Sequence, residues 1–475
     1  MPKVYNSLTR KKEVLKPRSG KSIKVFVCGP TVYDFSHIGH ARTYVVFDAM
    51  VRYWRRSFDV FYLQNITDID DKIIQRAIEQ GQDPLTLADT FAEYYFEDMG
   101  SLGIASVNKY AKATDYMEEI ISQVQRLEKH GYAYVTEDGV YYNIAKFKEY
   151  GKLSGRKVQG AEDAISRIDE SVSKKNRGDF ALWKLAPHRT ESSGAGFEPA
   201  WPSPFGAGRP GWHIEDTAIT EKELGEQYDV HGGARDLLFP HHEAEIAQME
   251  ALSRKEPLAT YWLHTGFLAV EGEKMSKSLG NFITIREFLE EHSARAMRLL
   301  VLSAHYRSPI DYSPVLLQQT EQDLKRIDEF ILKLETAQKD AKIKNNSWQK
   351  PLEKTEKEFW LALEDDFHTP KALAALFNLI RSVNPLLSSN ELNKEGTEAI
   401  LEFLQKADEV FGFLFWGREK IEEAPQEIQT LLQEREEARK SNNWDKADEL
   451  RDRIAKSGWQ IDDTPAGPRL KRQTS

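Results

Sequence analysis

The sequence is poor in cysteine: its 475 residues include one, Cys28. A single cysteine cannot form an intrachain disulfide, which excludes a disulfide-stabilised secreted domain and favours a reducing compartment. Long apolar runs are also missing, and none approaches the roughly 20 residues that a membrane-spanning helix needs. The basic N-terminus is not followed by the apolar segment of a signal peptide. We therefore expect a cytoplasmic protein without a membrane anchor.

An excess of positive charge is absent as well. The chain has 65 Lys and Arg against 75 Asp and Glu, a formal net charge of −10. Such a chain does not attract polyanions through its overall field, so a nucleic-acid partner has to meet local basic patches. The length allows roughly two to four domains and a large core.

The most informative segment begins at the cysteine. Cys28-Gly-Pro-Thr-Val-Tyr-Asp34 follows an apolar run, residues 23–27, that predicts a short buried strand. A long apolar-rich segment then continues to Trp54 and predicts a helix, with Ser36 placed to cap it. The segment therefore predicts a junction between a parallel strand and a helix N-terminus.

Two histidines and a glycine stand at this junction: His37, Gly39 and His40. Backbone N–H groups at a helix N-terminus favour anions, so we predict a phosphate site. The imidazoles can add donors to a triphosphate, and Gly39 lets a nucleotide approach the backbone. From this segment alone, a strand–helix corner with solvated histidines remains an equal alternative.

A second segment, Lys274-Met-Ser-Lys-Ser278, follows an apolar strand predicted at Thr265 to Val270. On a mobile loop, Lys274 and Lys277 can close on the β- and γ-phosphates as charge builds in the transition state. Alone, such a loop is usually solvated surface. Together with His-Ile-Gly-His it resembles the two signatures of class I aminoacyl-tRNA synthetases, which activate an amino acid with ATP.

Polar residues follow a second predicted strand, Val60 to Leu63. They run from Asn65 to Lys72, at the carboxyl edge where open parallel sheets bind ligands. Thr67 can offer its hydroxyl to a bound amino acid, whereas the neighbouring aspartates can instead cap the following helix. The segment predicts one wall of a substrate site.

Two later segments, 211–216 and 228–236, are interpreted as part of the second half of this sheet. Gly232, next to Gly233, allows close approach of a base to the backbone, and Asp236 can accept from a ribose hydroxyl. A lone Gly-Gly pair is weak evidence for a nucleotide site, but its position between other candidate segments strengthens that evidence.

A helix is predicted to open at Pro240, and on it His241 and Glu245 lie four residues apart on one face. An imidazole and a carboxylate at this spacing can chelate zinc, although a surface polar pair is the commoner case. Cys28, at the end of the first strand, can add a thiolate, although a lone cysteine is more often a small buried hydrophobe.

Taken together, these segments resemble the cysteinyl-tRNA synthetase family from about residue 4 to the C-terminus. The resemblance also rests on Asp179-Phe-Ala-Leu-Trp-Lys184, Gly208-Arg-Pro-Gly-Trp-His-Ile-Glu215, Phe239-Pro-His-His-Glu243 and Arg307-Ser-Pro-Ile-Asp-Tyr-Ser313. It implies activation of L-cysteine with Mg²⁺–ATP, followed by transfer to the 3′-terminal ribose of tRNA(Cys). It also implies catalytic roles for His37, His40, Lys274 and Lys277, an ATP site that adds Gly39, Gly232 and Asp236, and an amino-acid pocket with Thr67, Trp212 and His231.

The resemblance further implies one zinc ion per chain, with the substrate thiolate completing its coordination. The implied ligands are Cys28, a cysteine after Gly-Trp-His-Ile-Glu, His241 and Glu245, but this sequence has Asp216 at the second position. Aspartate keeps the ligand charge and lowers its softness. We expect zinc to bind through Asp216 and the other three residues, a lost or different metal being the alternative.

The resemblance implies an α/β fold: a class I Rossmann-type parallel-sheet catalytic domain in two halves, residues 1–103 and 206–313, with a connective insertion and mobile loop at 104–205. A helical bundle at 314–420 and an anticodon-binding domain at 421–475 follow, and a monomer is expected. A related cysteine ligase with another acceptor is one alternative. A non-catalytic tRNA-binding paralogue, suggested by Asp216, is the other.

Apolar periodicity predicts the remaining helices. They are expected at Leu85–Leu102, Tyr116–His130, Ser293–Leu302, along a stripe from Leu317 to Leu334, from a Thr369 cap to Ile380, along a stripe from Ile400 to Phe411, and at Gln426–Lys440 and Trp444–Lys456.

Overall fold

The structure is a computed structural model that describes residues 1–156, 173–186, 198–275, 281–337, 346–418, 424–464 and 467–472. Its strands are β1 (Lys3–Asn6), β2 (Lys11–Val14), β3 (Ser22–Val27), β4 (Asp59–Ile66), β5 (Lys109–Lys112), β6 (Ala133–Val135), β7 (Gly139–Tyr142), β8 (Phe180–Leu185), β9 (Gly208–Pro210), β10 (Tyr228–Ala234), β11 (Ala259–Thr265), β12 (Leu268–Val270), β13 (Glu273–Lys274), β14 (Ile310–Tyr312), β15 (Trp459–Thr464) and β16 (Gly467–Arg472).

Its helices are α1 (Ile38–Trp54), α2 (Asp71–Gln80), α3 (Pro84–Ser101), α4 (Met117–Lys129), α5 (Trp212–Leu224), α6 (His241–Ser253), α7 (Ile285–Glu291), α8 (Ala294–Ser303), α9 (Pro314–Thr336), α10 (Gln349–Glu364), α11 (Thr369–Ser388), α12 (Lys394–Phe411), α13 (Gln426–Lys440) and α14 (Trp444–Lys456). Among these described helices, none combines the length and the apolar character needed to cross a membrane. Strands and helices alternate up to β14 and helices dominate beyond it, which confirms the predicted α/β architecture.

A parallel sheet in the order β11-β10-β3-β4-β5 lies at the centre of the fold. Its central strand β3 carries Val25, Phe26 and Val27, all fully buried. Such unbroken apolar runs are typical of parallel strands that are covered on both faces. The chain passes from β3 to β4 on one side, while β10 pairs with β3 on the other. The switch point between β3 and β10 is where open α/β sheets bind ligands, at the carboxyl ends of the strands.

An antiparallel sheet, β6-β7-β8-β9, is inserted between β5 and α5. It packs with α4, α5 and α6 in an apolar cluster that includes Ile120, Trp183 and Ile214. Strand pairing does not follow two of the predicted boundaries. β5 extends the central sheet past residue 103, and β9 pairs with β8 of the inserted sheet although it lies within 206–313, the range expected for the second half of the catalytic domain. These strands are too short for a period-two pattern to show.

Helix α5 corrects another expectation. Residues 212–216 are helical, whereas the sequence favoured an interpretation as sheet. The side chains of residues 213–220 are all buried, so this part of the helix has no solvent-exposed face and its sequence shows no amphipathic period. Asp216 therefore lies one turn into a helix and not in the sheet.

The helices α8 to α12 share one continuous apolar core with α1 and the central sheet, and α8 and α12 pack against α1. Arg298 of α8, fully buried, lies 2.8 Å from Oδ2 of Asp48 in α1 and donates to the carbonyl of Phe411. The predicted helices are present. The predicted cap Thr369 is wrong, because the side chain of His368 accepts the N–H of Lys371 and Thr369 is already helical.

The C-terminal unit consists of α13, α14 and the hairpin of β15 and β16. Both helices have the bounds that the sequence predicts. Their small apolar core is formed by Ala424, Ile428, Ile454, Trp459 and Ile461. The unit thus has a core separate from the rest of the chain.

Candidate functional site

Two histidines accept backbone hydrogen bonds at the N-terminus of α1. The N–H of Gly39 donates to Nδ1 of His37 (3.1 Å), and the N–H of His37 donates to Nδ1 of His40 (3.3 Å). His37 is therefore the N-cap, and the predicted cap at Ser36 is wrong. The two rings stack with centroids 3.9 Å apart. Burial, followed by the charges of His37 and Lys72, lowers the pKa of His40 well below its usual value.

The two signature segments meet at this helix end. The N–H of Ile38 donates to the carbonyl of Ile283 (3.1 Å), and the ring of Phe282 lies 5.1 Å from that of His37. On the other side, a Cβ placed on Gly39 would lie 3.1 Å from Cε of Met275. The segment between Met275 and Phe282, which carries Lys277, therefore begins and ends against the histidines.

The lysines themselves are only partly described. Lys274 belongs to β13, which pairs with β12 in a short hairpin, so its backbone is in a strand and not in the predicted loop. Lys277 lies outside the described residues. The predicted strand from Thr265 to Val270 is broken at Gly266, whose carbonyl accepts from Nε of Arg42 (2.8 Å). The roles of both lysines stay predictions.

Three of the predicted metal ligands converge behind the sheet edge. Sγ of Cys28, which follows β3, lies 3.3 Å from Oδ2 of Asp216 and 3.5 Å from Nε2 of His241. Nε2 of His241 lies 2.9 Å from the same Asp216 oxygen. All three side chains are buried. The thiol sulfur, the carboxylate oxygen and the imidazole nitrogen thus lie within 3.5 Å of one another, close enough to bind one ion.

Glu245, the fourth predicted ligand, faces two groups at once. Its Oε1 lies 3.3 Å from Nε2 of His241, as the spacing on α6 predicts. Its Oε2 lies 3.5 Å from Nε2 of His231. Ligand atoms of Glu245, His231 and His242 also lie within 4.8 Å of one another. Glu245 therefore joins the cluster through His241, not through Cys28.

The chemistry of this cluster fits a divalent cation. Neither carboxylate oxygen of Glu245 makes a hydrogen bond to a described residue, although the side chain is fully buried. Burial, followed by the charge of Asp216, raises the pKa of Glu245 and of the Cys28 thiol well above their usual values. Packing several anionic groups in a dry site is costly unless a cation neutralises them. The donors are sulfur, nitrogen and oxygen, which zinc accepts.

The predicted pocket residues surround the cluster. The ring of Trp212 stacks on that of His241, with centroids 4.2 Å apart. His231 is fully buried, stacks on Trp262 (4.1 Å) and has its Nδ1 2.7 Å from the hydroxyl of Tyr228. Thr67 is buried at the end of β4, and its hydroxyl accepts from Nδ2 of Asn65 (3.4 Å). Contact of these residues with an amino acid stays a prediction.

Gly232 and Asp236 differ from each other in their surroundings. A Cβ at Gly232 would lie 2.4 Å from Cζ of Phe47, so this glycine admits a core side chain of α1. Asp236 is exposed in the turn after β10. The side chain of Phe47 therefore fills the space that a Cβ at Gly232 would need, and the approach of a base to this backbone stays a prediction.

Sequence reasoning assigned no role to two residues of the site. Asn65 donates from Nδ2 to Oδ1 of Asp216 (2.6 Å) and accepts the N–H of Gly29 (2.5 Å). His213 places its Nδ1 2.8 Å from Nδ1 of His241. Asn65 was detectable as a polar residue at a strand end. His213 carries no such signal, because the helix that buries it shows no amphipathic period.

Comparison with protein families covers most of the chain. Residues 14–322 match the family of class I (C) tRNA synthetase catalytic domains, residues 358–415 match the DALR domain, and residues 422–467 match the cysteinyl-tRNA ligase anticodon-binding domain. The last of these corresponds to the C-terminal unit with its own core.

Curated relatives match over nearly the full length. The cysteine–tRNA ligase of Thermococcus onnurineus is 44% identical, with 99% of both chains covered. Those of Carboxydothermus hydrogenoformans (42%, 99% of this chain and 100% of that one) and Methanococcus maripaludis (43%, 98% of both) are similar to the same extent.

Solved structures agree on the fold. A Mycobacterium tuberculosis methionyl-tRNA synthetase in complex with methionyl-adenylate superposes with a TM-score of 0.61 at 16% identity, covering 83% of this chain and 88% of the other. An Agrobacterium radiobacter LeuRS in a ternary complex gives 0.60 at 11% identity, covering 85% and 86%. At these identities the likeness shows the fold alone.

Proposed function

The chain belongs to the family of cysteine–tRNA ligases, which are class I aminoacyl-tRNA synthetases, and on that premise we propose how its residues perform the reaction. L-cysteine reacts with Mg²⁺–ATP to give cysteinyl-adenylate and diphosphate, and the cysteinyl group then passes to the 3′-terminal ribose of tRNA(Cys). The observation that carries the proposal is the position of the buried thiol, carboxylate and imidazole cluster beside the α1 N-terminus. Tyr44 links them, since its hydroxyl donates to the carbonyl of Cys28 (3.3 Å) and its ring stacks near His40 (6.2 Å).

The nucleotide is assigned to the α1 N-terminus. His37, Gly39 and His40 receive the phosphates, where backbone N–H groups and imidazole donors stabilise negative charge. Lys274 and Lys277 approach the β- and γ-phosphates from the segment that starts and ends at the same helix. Gly232 and Asp236 lie toward the adenosine. No protein nucleophile is required, because positioning and charge stabilisation supply the rate.

The amino acid is assigned to the buried cluster. Cys28, Asp216, His241 and Glu245 hold one zinc ion, and Thr67, Trp212 and His231 surround the substrate. When bound, zinc supplies a ligand position that prefers a thiolate to an alcohol and so separates cysteine from serine. Shape alone discriminates poorly between such near-isosteres. Asn65 holds Asp216 so that one carboxylate oxygen faces Cys28 and His241.

Transfer RNA is assigned to the C-terminal half. The helical bundle, α9 to α12, extends along the tRNA from the catalytic domain. Helices α13 and α14 and the hairpin bind the anticodon, where Arg and Trp side chains suit unpaired bases. The protein acts as a monomer in the cytoplasm. The match to an anticodon-binding family disfavours a ligase with another acceptor. The matches to a catalytic-domain family and to full-length cysteine–tRNA ligases disfavour a paralogue without catalysis.

Two assays test the proposal. Cysteine-dependent ATP–diphosphate exchange measures activation, and charging of total tRNA with cysteine measures transfer. We expect both, with serine far below cysteine in the first. Exchange without charging indicates another acceptor, and tRNA binding without exchange indicates a non-catalytic protein. Zinc content, measured on protein purified without chelator, tests the metal assignment: active protein without stoichiometric zinc overturns it.

A further inference from the structure

One pair of buried imidazoles connects the cluster to α5. Nδ1 of His213 lies 2.8 Å from Nδ1 of His241. The other nitrogen of His241, Nε2, faces the cluster at 2.9 Å from Asp216, 3.3 Å from Glu245 and 3.5 Å from Cys28. His241 thus turns one nitrogen to the proposed metal position and the other to His213.

The single proton between these two rings decides what His241 can do. Two imidazole nitrogens at hydrogen-bond distance require one N–H donor and one lone pair. If His213 donates, a neutral His241 carries its proton on Nε2, which cannot then ligate a metal. If His241 donates from Nδ1, its Nε2 lone pair points at Cys28, Asp216 and Glu245. The pair therefore has one orientation that permits ligation and one that prevents it.

We propose that His213 is a positioning residue for the metal centre: its Nδ1 accepts the Nδ1–H of His241 and holds that ring in the ligating tautomer. The inference rests on the proposed zinc site. Partners of this kind usually fix the tautomer and orientation of a metal-bound histidine. In many proteins they are carboxylates or backbone carbonyls, whereas here a second imidazole takes the place.

Two contacts and its place on α5 position His213 for this task. Nε2 of Gln248, on α6, donates to the carbonyl of His213 (3.1 Å). The ring of Phe180 meets the imidazole edge to face with centroids 5.1 Å apart. His213 also precedes Asp216 by three residues on α5, so the two side chains lie on one helix face. One helix therefore supplies both a ligand and the residue that orients another ligand.

Three variants separate this role from simple packing. His213→Leu removes the acceptor, His213→Asn can return an acceptor oxygen near the position of Nδ1, and Phe180→Leu removes packing but keeps the imidazole. We expect His213→Leu to lower zinc affinity by roughly 10–100-fold. We expect His213→Asn and Phe180→Leu to bind zinc within a few-fold of the unaltered protein. Affinity is measured by competition with a chromogenic chelator, and the absorption spectrum of the Co²⁺-loaded protein should change only for His213→Leu.

The outcomes distinguish this inference from the proposed function. If the unaltered protein binds no zinc, the metal centre itself is wrong and the inference falls with it. If it binds zinc and His213→Leu binds equally well with the same Co²⁺ spectrum, only the role of His213 is overturned. Equal loss of affinity in His213→Leu and Phe180→Leu assigns His213 to packing and also overturns it.

A second measurement needs no variant. Long-range ¹H–¹⁵N spectra of the zinc-loaded protein, with labelled histidine, report which nitrogen of each ring carries a proton. We expect His241 to be protonated at Nδ1 and His213 at Nε2. A proton on Nδ1 of His213 overturns the proposal even if the variants fail to fold.

Discussion

Met275 lies against Gly39, at the start of the segment that carries Lys277. A Cβ added to Gly39 would lie 3.1 Å from Cε of Met275 and 2.8 Å from the ring of His37. The glycine therefore keeps the histidines of α1 and the chain before Lys277 in contact. The two signature segments, more than two hundred residues apart in sequence, are adjacent because this position has no side chain.

Gly39→Ala should lower the rate of ATP–diphosphate exchange by about 10–100-fold, because His37 has to move and small misplacements of reacting groups are costly. Thermal unfolding should change little. The matched control is Gly100→Ala, in α3, where an added Cβ meets nothing within 4 Å. That control should keep full activity and gain up to about 1 kcal/mol of stability. Exchange at the normal rate in Gly39→Ala would contradict the role of this contact.

Gly232→Ala separates a nucleotide role from internal packing. The new Cβ would lie 2.4 Å from Cζ of Phe47. Overpacking of this kind should lower the free energy of unfolding by about 1–3 kcal/mol, measured by urea denaturation. Adding Phe47→Leu should make the double variant more stable than the two single effects predict together. If the repacked double variant still has a raised KM for ATP, Gly232 contacts the nucleotide; a normal KM assigns the glycine to the core.

Lys277→Ala should lower diphosphate exchange by about 100-fold or more, since it removes a positive charge that acts on the transition state. The midpoint of thermal unfolding should stay the same. Lys255→Ala, which removes an exposed lysine paired with Glu226, is the control and should leave exchange unchanged. An unaltered exchange rate in Lys277→Ala refutes the assignment.

The role of Asp216 as a zinc ligand is tested by one variant that should strengthen zinc binding and one that should weaken it. Asp216→Cys introduces the softer thiolate ligand that the likeness to cysteinyl-tRNA synthetases implies at this position. It should raise zinc affinity by about tenfold or more, measured by chelator competition. Asp216→Ala should lower zinc affinity and reduce the preference for cysteine over serine in the exchange assay. Asp216→Asn is the matched control, because it keeps the side-chain size and an oxygen for Asn65 while removing the charge. Unchanged zinc affinity in Asp216→Ala would show that the metal ligands lie elsewhere.

The buried pair of Asp48 and Arg298 should be visible as a pH dependence of stability. Burial alone would raise the pKa of Asp48, but Arg298 and Arg52 lower it below its usual value. The pair therefore stabilises the fold above about pH 3.9, the pKa of an unfolded aspartate, and loses this effect as the pH falls through the lower folded pKa. Asp48→Asn leaves Arg298 buried without its counter-charge and should cost about 3–5 kcal/mol near neutral pH.

Urea denaturation of the unaltered protein and Asp48→Asn checks this expectation. The difference between them should be constant near neutral pH and narrow below about pH 3.9. Asp89→Asn, which removes an exposed partner of Lys112, should change stability by less than about 1 kcal/mol at any pH. A difference that persists unchanged in acid would contradict the ion-pair explanation.

Long periodic elements were predictable from the sequence. The helices α13 and α14 have the predicted bounds, and α3, α8 and α9 lie where their apolar stripes place them. Their one-sided burial produces the period that sequence reasoning detects. Helix α5 was missed for the opposite reason, since a helix buried all round carries no stripe. The strands β5 and β9 were missed because they span only three or four residues.

At the site, spacing within one element was predictable and contacts between elements were not. The proximity of His241 and Glu245 follows from four residues on one helix. The contacts of Asp216 with Asn65 and of His213 with His241 join separate elements. No local sequence pattern predicts such contacts. The cap of α1 was missed because His37, unlike Ser36, is an uncommon capping residue.

The capping role of His37 has a consequence for the arrival of substrate. The amide hydrogen of Gly39, one of those a helix start offers to an oxyanion, is already engaged by the imidazole of His37. A phosphoryl oxygen that accepts from this amide must displace the ring of His37. The imidazole nitrogen therefore occupies the position that a phosphate oxygen would take. Exchange of one for the other returns most of the lost capping energy, about 1 kcal/mol, and leaves the liberated ring beside the incoming charge.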